Sequence, residues 1–249
     1  LGYGYPFFNF YAPLSYYVGA VLSLVGLGLQ PALIATFALA TITAGLAAYM
    51  LVRDHFSPRS ALVAAVAYAY APYLGYDAFF RANLAETLSW ALLPLALWTM
   101  GRLARQGGPR YLAGAALSYA AVLLTHNVFA LIFSPLLVTC GLVTALTTLP
   151  PARSRCRRLA VTGVAILLGM GLAAFFWLPA LIERAYVHSD RLLVPPVFVY
   201  WNNFIGLREL LAAPRTIHPD LLNPSPPRAL GLIPVLLGLP ALVGLWRFQ

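Results

Sequence analysis

Residues 111–149 read "YLAGAALSYAAVLLTHNVFALIFSPLLVTCGLVTALTTL", 39 positions without a charged side chain, broken near the middle by His126 and Asn127. About 20 mostly apolar residues cross the hydrocarbon of a bilayer as a helix. The stretch therefore reads as two spans that turn at the His126-Asn127 pair. Further spans are expected on either side, at about 31–52, 60–76, 84–103, 159–181 and 229–246, which with 111–126 and 128–149 make seven. Across all 249 residues, 61% are hydrophobic and 9% charged, whereas a soluble domain carries roughly a quarter charged residues. The expected fold is all-α, a polytopic transmembrane helical bundle forming one domain over 1–249. The chain opens on Leu1 and closes on "LWRFQ" directly after an apolar run, so it reads as a fragment of a longer protein.

The charges are sorted along the chain. "RDHFSPR", "RLARQGGPR" and "RSRCRR", together with Arg247, place ten arginines on one side of the expected bundle against a single acid, Asp54, a net +9. The other side holds six arginines and six acids. Short Arg-rich loops stay in the cytoplasm, so the +9 is a topology signal and not a nucleic-acid patch. Residues 1–30 and 182–228 then fall on the extracytoplasmic side. The opening segment is short, rich in Tyr and Phe and punctuated by Pro6, Pro13, Gly28 and Pro31. It reads as a helix lying at the outer interface, with Tyr11, Tyr16 and Tyr17 at the headgroup level; an eighth span is the alternative. The loop 182–228 is Pro-rich, and its "WNNFIGLRELLAA" fits a short amphipathic surface helix.

Charged and polar residues cluster at the outer ends of the spans. In "RANLAETLSW", residues 81–90, Asn83 and Glu86 have the spacing of a helix-capping pair, and Asp77 with Arg81 makes an i, i+4 pair. A helix start explains them; so does an anion site, because the planar fork of Arg81 suits phosphate oxygens while Glu86 orients it. Turn chemistry explains Asn127. It explains His126 less well, which is either a structural residue or a donor to a phosphate. No phosphate loop, HExxH, nucleophile elbow or Cys/His metal spacing occurs. Cys140 and Cys156 lie too far apart to suggest a disulfide framework. No cofactor is evident, and the sequence leaves a divalent metal open.

The succession "GYGYPFFNFYAPLSYYVGA", "RSALVAAVAYAYAPYLGYDAFFRANLAETLSWALLPLALW" and "LAGAALSYAAVLLTHNVFALIFSPLL" strongly resembles the bacterial integral membrane proteins labelled 6-pyruvoyl-tetrahydropterin synthase-related. The label does not imply the soluble pterin enzyme, whose metal-binding histidine cluster is missing here. The layout is also similar to the C-type glycosyltransferase superfamily, which includes aminoarabinose transferases, protein mannosyltransferases and oligosaccharyltransferases. That resemblance implies a protein of the bacterial cytoplasmic membrane handling a polyprenyl-phosphate-linked sugar at its outer face. It also implies phosphate or substrate contacts at Arg81, His126, Asn127 and Asp77, with Glu86 a candidate catalytic residue. The acidic residue of the superfamily's first outer loop has no counterpart in residues 1–30, which hold no Asp or Glu; either it lies upstream of Leu1 or this lineage has lost catalysis. The alternative is a non-catalytic lipid- or polymer-binding scaffold, or a transporter.

Overall fold

The computed structural model describes residues 7–148 and 152–186, and a few positions between 201 and 238. Among the described residues every regular element is helical. The short α1 (Phe7–Phe10) and α2 (Leu14–Leu22) run through a π turn at Ser23–Leu27 into α3 (Leu29–Arg53). Gly26 and Gly28, at φ of 106° and 71°, let the chain turn between α2 and α3 where a residue with a Cβ would be strained. Then follow α4 (Pro58–Ala69), α5 (Pro72–Phe79), α6 (Leu84–Gln106), α7 (Pro109–Thr125), α8 (Asn127–Thr147), α9 (Ala152–Leu172), α10 (Ala174–Ile182) and the single turn α11 (Leu207–Leu210).

The boundaries follow from local chemistry. Ser57 caps α4 by accepting from the Ser60 amide at 3.2 Å, with Pro58 in the first turn. Proline has no N–H and disfavours helical geometry in the residue before it, so Pro72 holds Ala71 extended and separates α4 from α5. The stretch expected as one span at 60–76 is therefore two short helices. Gly107, at φ 68°, ends α6 with its amide on the Leu103 carbonyl at 2.8 Å, and Pro109 opens α7.

Among the described residues two helices, Leu29–Arg53 and Asn127–Thr147, are long and apolar enough to cross a membrane. The expected span at 159–181 is broken: Arg155–Leu172 and the segment Ala174–Tyr186 meet at 68° and reach that standard only as a pair. The described residues thus supply two such spans, or three with the bent pair. Helix α7 has only 17 residues, and α6 carries Glu86 at one end and Arg102 and Arg105 at the other. The expected span 229–246 and most of the loop 182–228 lie outside the described residues. The surface helix expected at 201–213 is largely described, and only Leu207–Leu210 of it form a helix, the single turn α11.

Helix α6 is the axis of the bundle, packing on α3, α7 and α8, while α3 also meets α4 and α7 meets α9. The α3 face turned inward is a ladder of small side chains, Ala32, Thr36, Ala40, Ala44 and Ala47, which lets backbones approach closely. The core between α6, α7, α8 and α9 is filled by Met100, Leu103, Tyr119, Val122, Phe133 and Leu137. Within it the Thr99 and Ser118 hydroxyls bond at 2.8 Å and tie α6 to α7. Leu24, Val25, Ile34, Leu131, Ile132 and Leu167 point outward, as surfaces do that meet lipid rather than water.

Candidate functional site

The turn between α5 and α6 gathers the charges. Asn83 caps α6: its Oδ1 accepts from the Glu86 amide at 3.2 Å, while its Nδ2 donates to Glu86 Oε2 at 3.0 Å. The glutamate also lies in the first helical turn, where the helix dipole favours a negative charge. Arg81 Nη1 then donates to three acceptors, Glu86 Oε2 at 2.7 Å, Asp77 Oδ1 at 2.9 Å and the Tyr73 hydroxyl at 3.1 Å. Tyr73 in turn donates to Glu86 Oε1 at 2.8 Å. Asp77 is fully buried and the Glu86 side chain is 8% exposed, whereas that of Arg81 is 39% exposed. Nε and Nη2 of Arg81 make no hydrogen bond among the described residues. Burial, and then the charge of Glu86, push the Asp77 carboxyl up to about 7 against the opposing pull of Arg81.

Ala82, between Arg81 and Asn83, sits at φ 49°, in the left-handed region that costs a residue with a Cβ about 1–2 kcal/mol. Strain of this kind is tolerated where the surroundings fix it, and here the bonds of Arg81 and Asn83 do so on both sides.

His126 closes α7 and caps α8, its Nδ1 accepting from the Phe129 amide at 3.4 Å. This places the ring proton on Nε2, which makes no hydrogen bond among the described residues. The ring stands edge-on to Phe129, Phe129 to Trp90, and Trp90 to Tyr73, an aromatic run that joins α8 to the arginine cluster. His126 lies within electrostatic reach of Glu86 and Arg81. Asn127 Nδ2 donates to the Phe10 carbonyl at 2.7 Å and Asn9 Nδ2 to Glu183 Oε2 at 2.8 Å, so the N-terminal segment is fastened to this end of the bundle.

Between α2, the start of α3 and the α5–α6 turn lies a cavity of about 490 Å³, bordered by Tyr11, Ser15, Tyr16, Leu33, Arg81 and Asn83 among others. Tyr11 and Tyr16 meet edge to face with ring centroids 5.8 Å apart. Tyr17 does not border the cavity and packs against Phe8 instead.

All the residues singled out in sequence therefore sit at one end of the bundle. Asp77, Arg81 and Glu86 touch; His126 and Asn127 stand across from them; Tyr11 and Tyr16 wall the cavity. Tyr73 and Ser15 join them in the structure without a clear mark in the sequence. The only signal for Tyr73 was its position one helical turn before Asp77, and nothing in the sequence marks Ser15. At the opposite end of α6, Asp54 accepts from Arg102 and Arg105 and clamps the loop after α3 to α6. The sixteen positions from Glu86 to Arg102 place the two charged clusters about 24 Å apart along the helix. Among the described residues, no three His, Cys, Asp or Glu side chains come together as a metal site.

The sequence matches the family model described as the 6-pyruvoyl-tetrahydropterin synthase related domain, a membrane protein, over residues 8–204. The chain belongs to this family. No curated protein and no solved structure matches it. The match runs from α1 through α10, so the arginine cluster, His126 and the cavity all lie inside the part of the chain that defines this membrane family.

Proposed function

We propose that this member of the 6-pyruvoyl-tetrahydropterin synthase related family is a module akin to the C-type glycosyltransferases. In this reading it is a multi-pass protein of the bacterial cytoplasmic membrane, with seven spans and its Arg-rich loops inside. It handles a polyprenyl-phosphate-linked sugar at the extracytoplasmic face. The observation that carries the reading is the exposed edge of Arg81 at the mouth of the cavity, held in place by Glu86 and Asp77. Arg81 and the Nε2–H of His126 serve as donors to the carrier phosphate. Stabilising charge on a leaving phosphate in a site partly closed to water is a large term in catalysis. Glu86 acts through Arg81 as a positioning residue, since all its bonds run to Arg81, Asn83 and Tyr73.

Those same bonds favour a second reading, a lipid- or polymer-binding scaffold or transporter without chemistry, because both carboxylates of the cluster are engaged in holding the arginine. The test uses the full chain in lipid nanodiscs with a polyprenyl-phosphate-linked sugar. Arg81→Ala and His126→Ala should each weaken donor binding at least tenfold while helix content stays unchanged. Unaltered binding in both removes their assigned role, and binding without transfer selects the scaffold.

A further inference from the structure

The cavity's polar wall and its charge balance do not match the same ligand. Arg81 is the one cation among the described residues that line it, and two carboxylates lie 2.9 Å and 2.7 Å from its Nη1. A free anion entering here gains hydrogen bonds from Nε and Nη2 but meets no net positive charge, so the attraction that would offset its lost hydration is small. An uncharged group loses far less on leaving water. On the facing wall Ser15 is 1% exposed, and its hydroxyl has no hydrogen-bond partner among the described residues. Buried hydroxyls are nearly always bonded, and one that is not calls for a partner. Tyr11 and Tyr16 add aromatic surface next to this hydroxyl, and the volume of about 490 Å³ suits a small ligand.

We propose that the cavity between α2 and the α5–α6 turn binds an uncharged, hydroxyl-bearing ring, a carbohydrate unit. The ring takes a hydrogen bond from one N–H of the free edge of Arg81, whose other donors stay with the phosphate at the mouth, rests on Tyr11 and Tyr16, and supplies Ser15 with its missing partner. The assignment deepens the function proposed above by giving the sugar the interior of the site and leaving the phosphate at its mouth. It rests on that reading for the biological source of the sugar but not for the binding itself.

The test is photolabelling of the full chain in nanodiscs. The probes are a diazirine-bearing alkyl β-glucoside and β-galactoside and an alkyl phosphate with the same tail, with labelled peptides mapped by mass spectrometry. At least one glycoside should label residues 11–33 at least tenfold more than the phosphate does, and excess unlabelled glycoside should compete. Ser15→Ala should cut that labelling at least threefold. Leu33→Trp, which fills the space from the exposed side of α3, should abolish it. Equal or stronger labelling by the phosphate overturns the proposal, as does labelling indifferent to both variants or no glycoside labelling of these residues. A chain that takes the glycoside here yet binds no polyprenyl-phosphate-linked sugar keeps the cavity assignment and loses the carrier lipid.

Discussion

Glu86→Gln and Asp77→Asn remove the same charge from the same cluster and should differ sharply. Three donors end on Glu86: the Tyr73 hydroxyl at 2.8 Å, Arg81 Nη1 at 2.7 Å and Asn83 Nδ2 at 3.0 Å. A glutamine keeps one acceptor oxygen, which best faces Arg81 and Asn83. Its NH2 then points at a Tyr73 hydroxyl that already accepts from Arg81. The Asn83 bond becomes an ordinary one and the Arg81 bond loses its ion pair, about 1 kcal/mol each, and the tyrosine proton is left without a partner at about 1 kcal/mol more. Arg81 is 39% exposed, so water recovers part of this. The expected cost is about 2 kcal/mol, or roughly 4–8 °C in the thermal midpoint. Asp77 accepts one short bond from Arg81 and a long one from Thr87 at 3.5 Å, is fully buried, and is pushed upward by Glu86. Asp77→Asn gives up one charge-assisted bond and relieves both the burial of a charge and the repulsion, so it should fall within about 1 kcal/mol of the parent. The check is thermal unfolding in detergent at pH 7.5, followed by circular dichroism. A Glu86→Gln protein as stable as the parent, or an Asp77→Asn protein less stable than Glu86→Gln, would refute the idea that Glu86 is the stronger hold on the arginine and Asp77 the weaker.

Asp77 also gives a pH dependence of defined sign. The folded Asp77 binds its proton up to about 7 against an ordinary value of 3.8, so the native state holds more protons than the unfolded state between the two. Stability should fall as pH rises through that window, and the slope should flatten in Asp77→Asn. At the other end of α6, burial raises the pKa of Asp54, but the bonds and charges of Arg102 and Arg105 outweigh this and hold it below its ordinary value. Its contribution is therefore present above pH 4 and lost as pH falls through the lowered value, and Asp54→Asn should cost on the order of 2–3 kcal/mol at neutral pH. A Cβ on Gly169 would stand 2.8 Å from Tyr119 Cδ1 and 3.0 Å from the Ala116 carbonyl, where α7 and α9 meet. Gly169→Ala should destabilise by about 1–3 kcal/mol. Gly163→Ala, on the same helix with nothing within 4 Å, should instead stabilise by up to about 1 kcal/mol, and heat denaturation of the two variants side by side checks both.

The membrane character, the helical class and most helix starts were legible in the sequence, because composition, caps and prolines act over a few residues. The Asn83–Glu86 cap and the Asp77–Arg81 pair could be read from spacing alone, since partners three and four positions apart share a helix face. The count of spans could not. Apolarity marks which residues leave water, yet Pro72 splits 60–76, and the 68° bend divides 159–181 without any change in apolarity. What joins distant segments was equally out of reach. Asp54 was one acid among ten arginines until α3 and α6 packed and made it their clamp. Ser15 was an unremarked hydroxyl until α2 folded over the α5–α6 turn. The sequence by itself determined where the chain is apolar, where helices begin and which charges face one end. Only the tertiary structure decided that Arg81 balances two carboxylates, and that Ser15 and Tyr11 share a cavity with it. Both depend on helices far apart in the chain meeting at one place, and no periodicity within a helix encodes that.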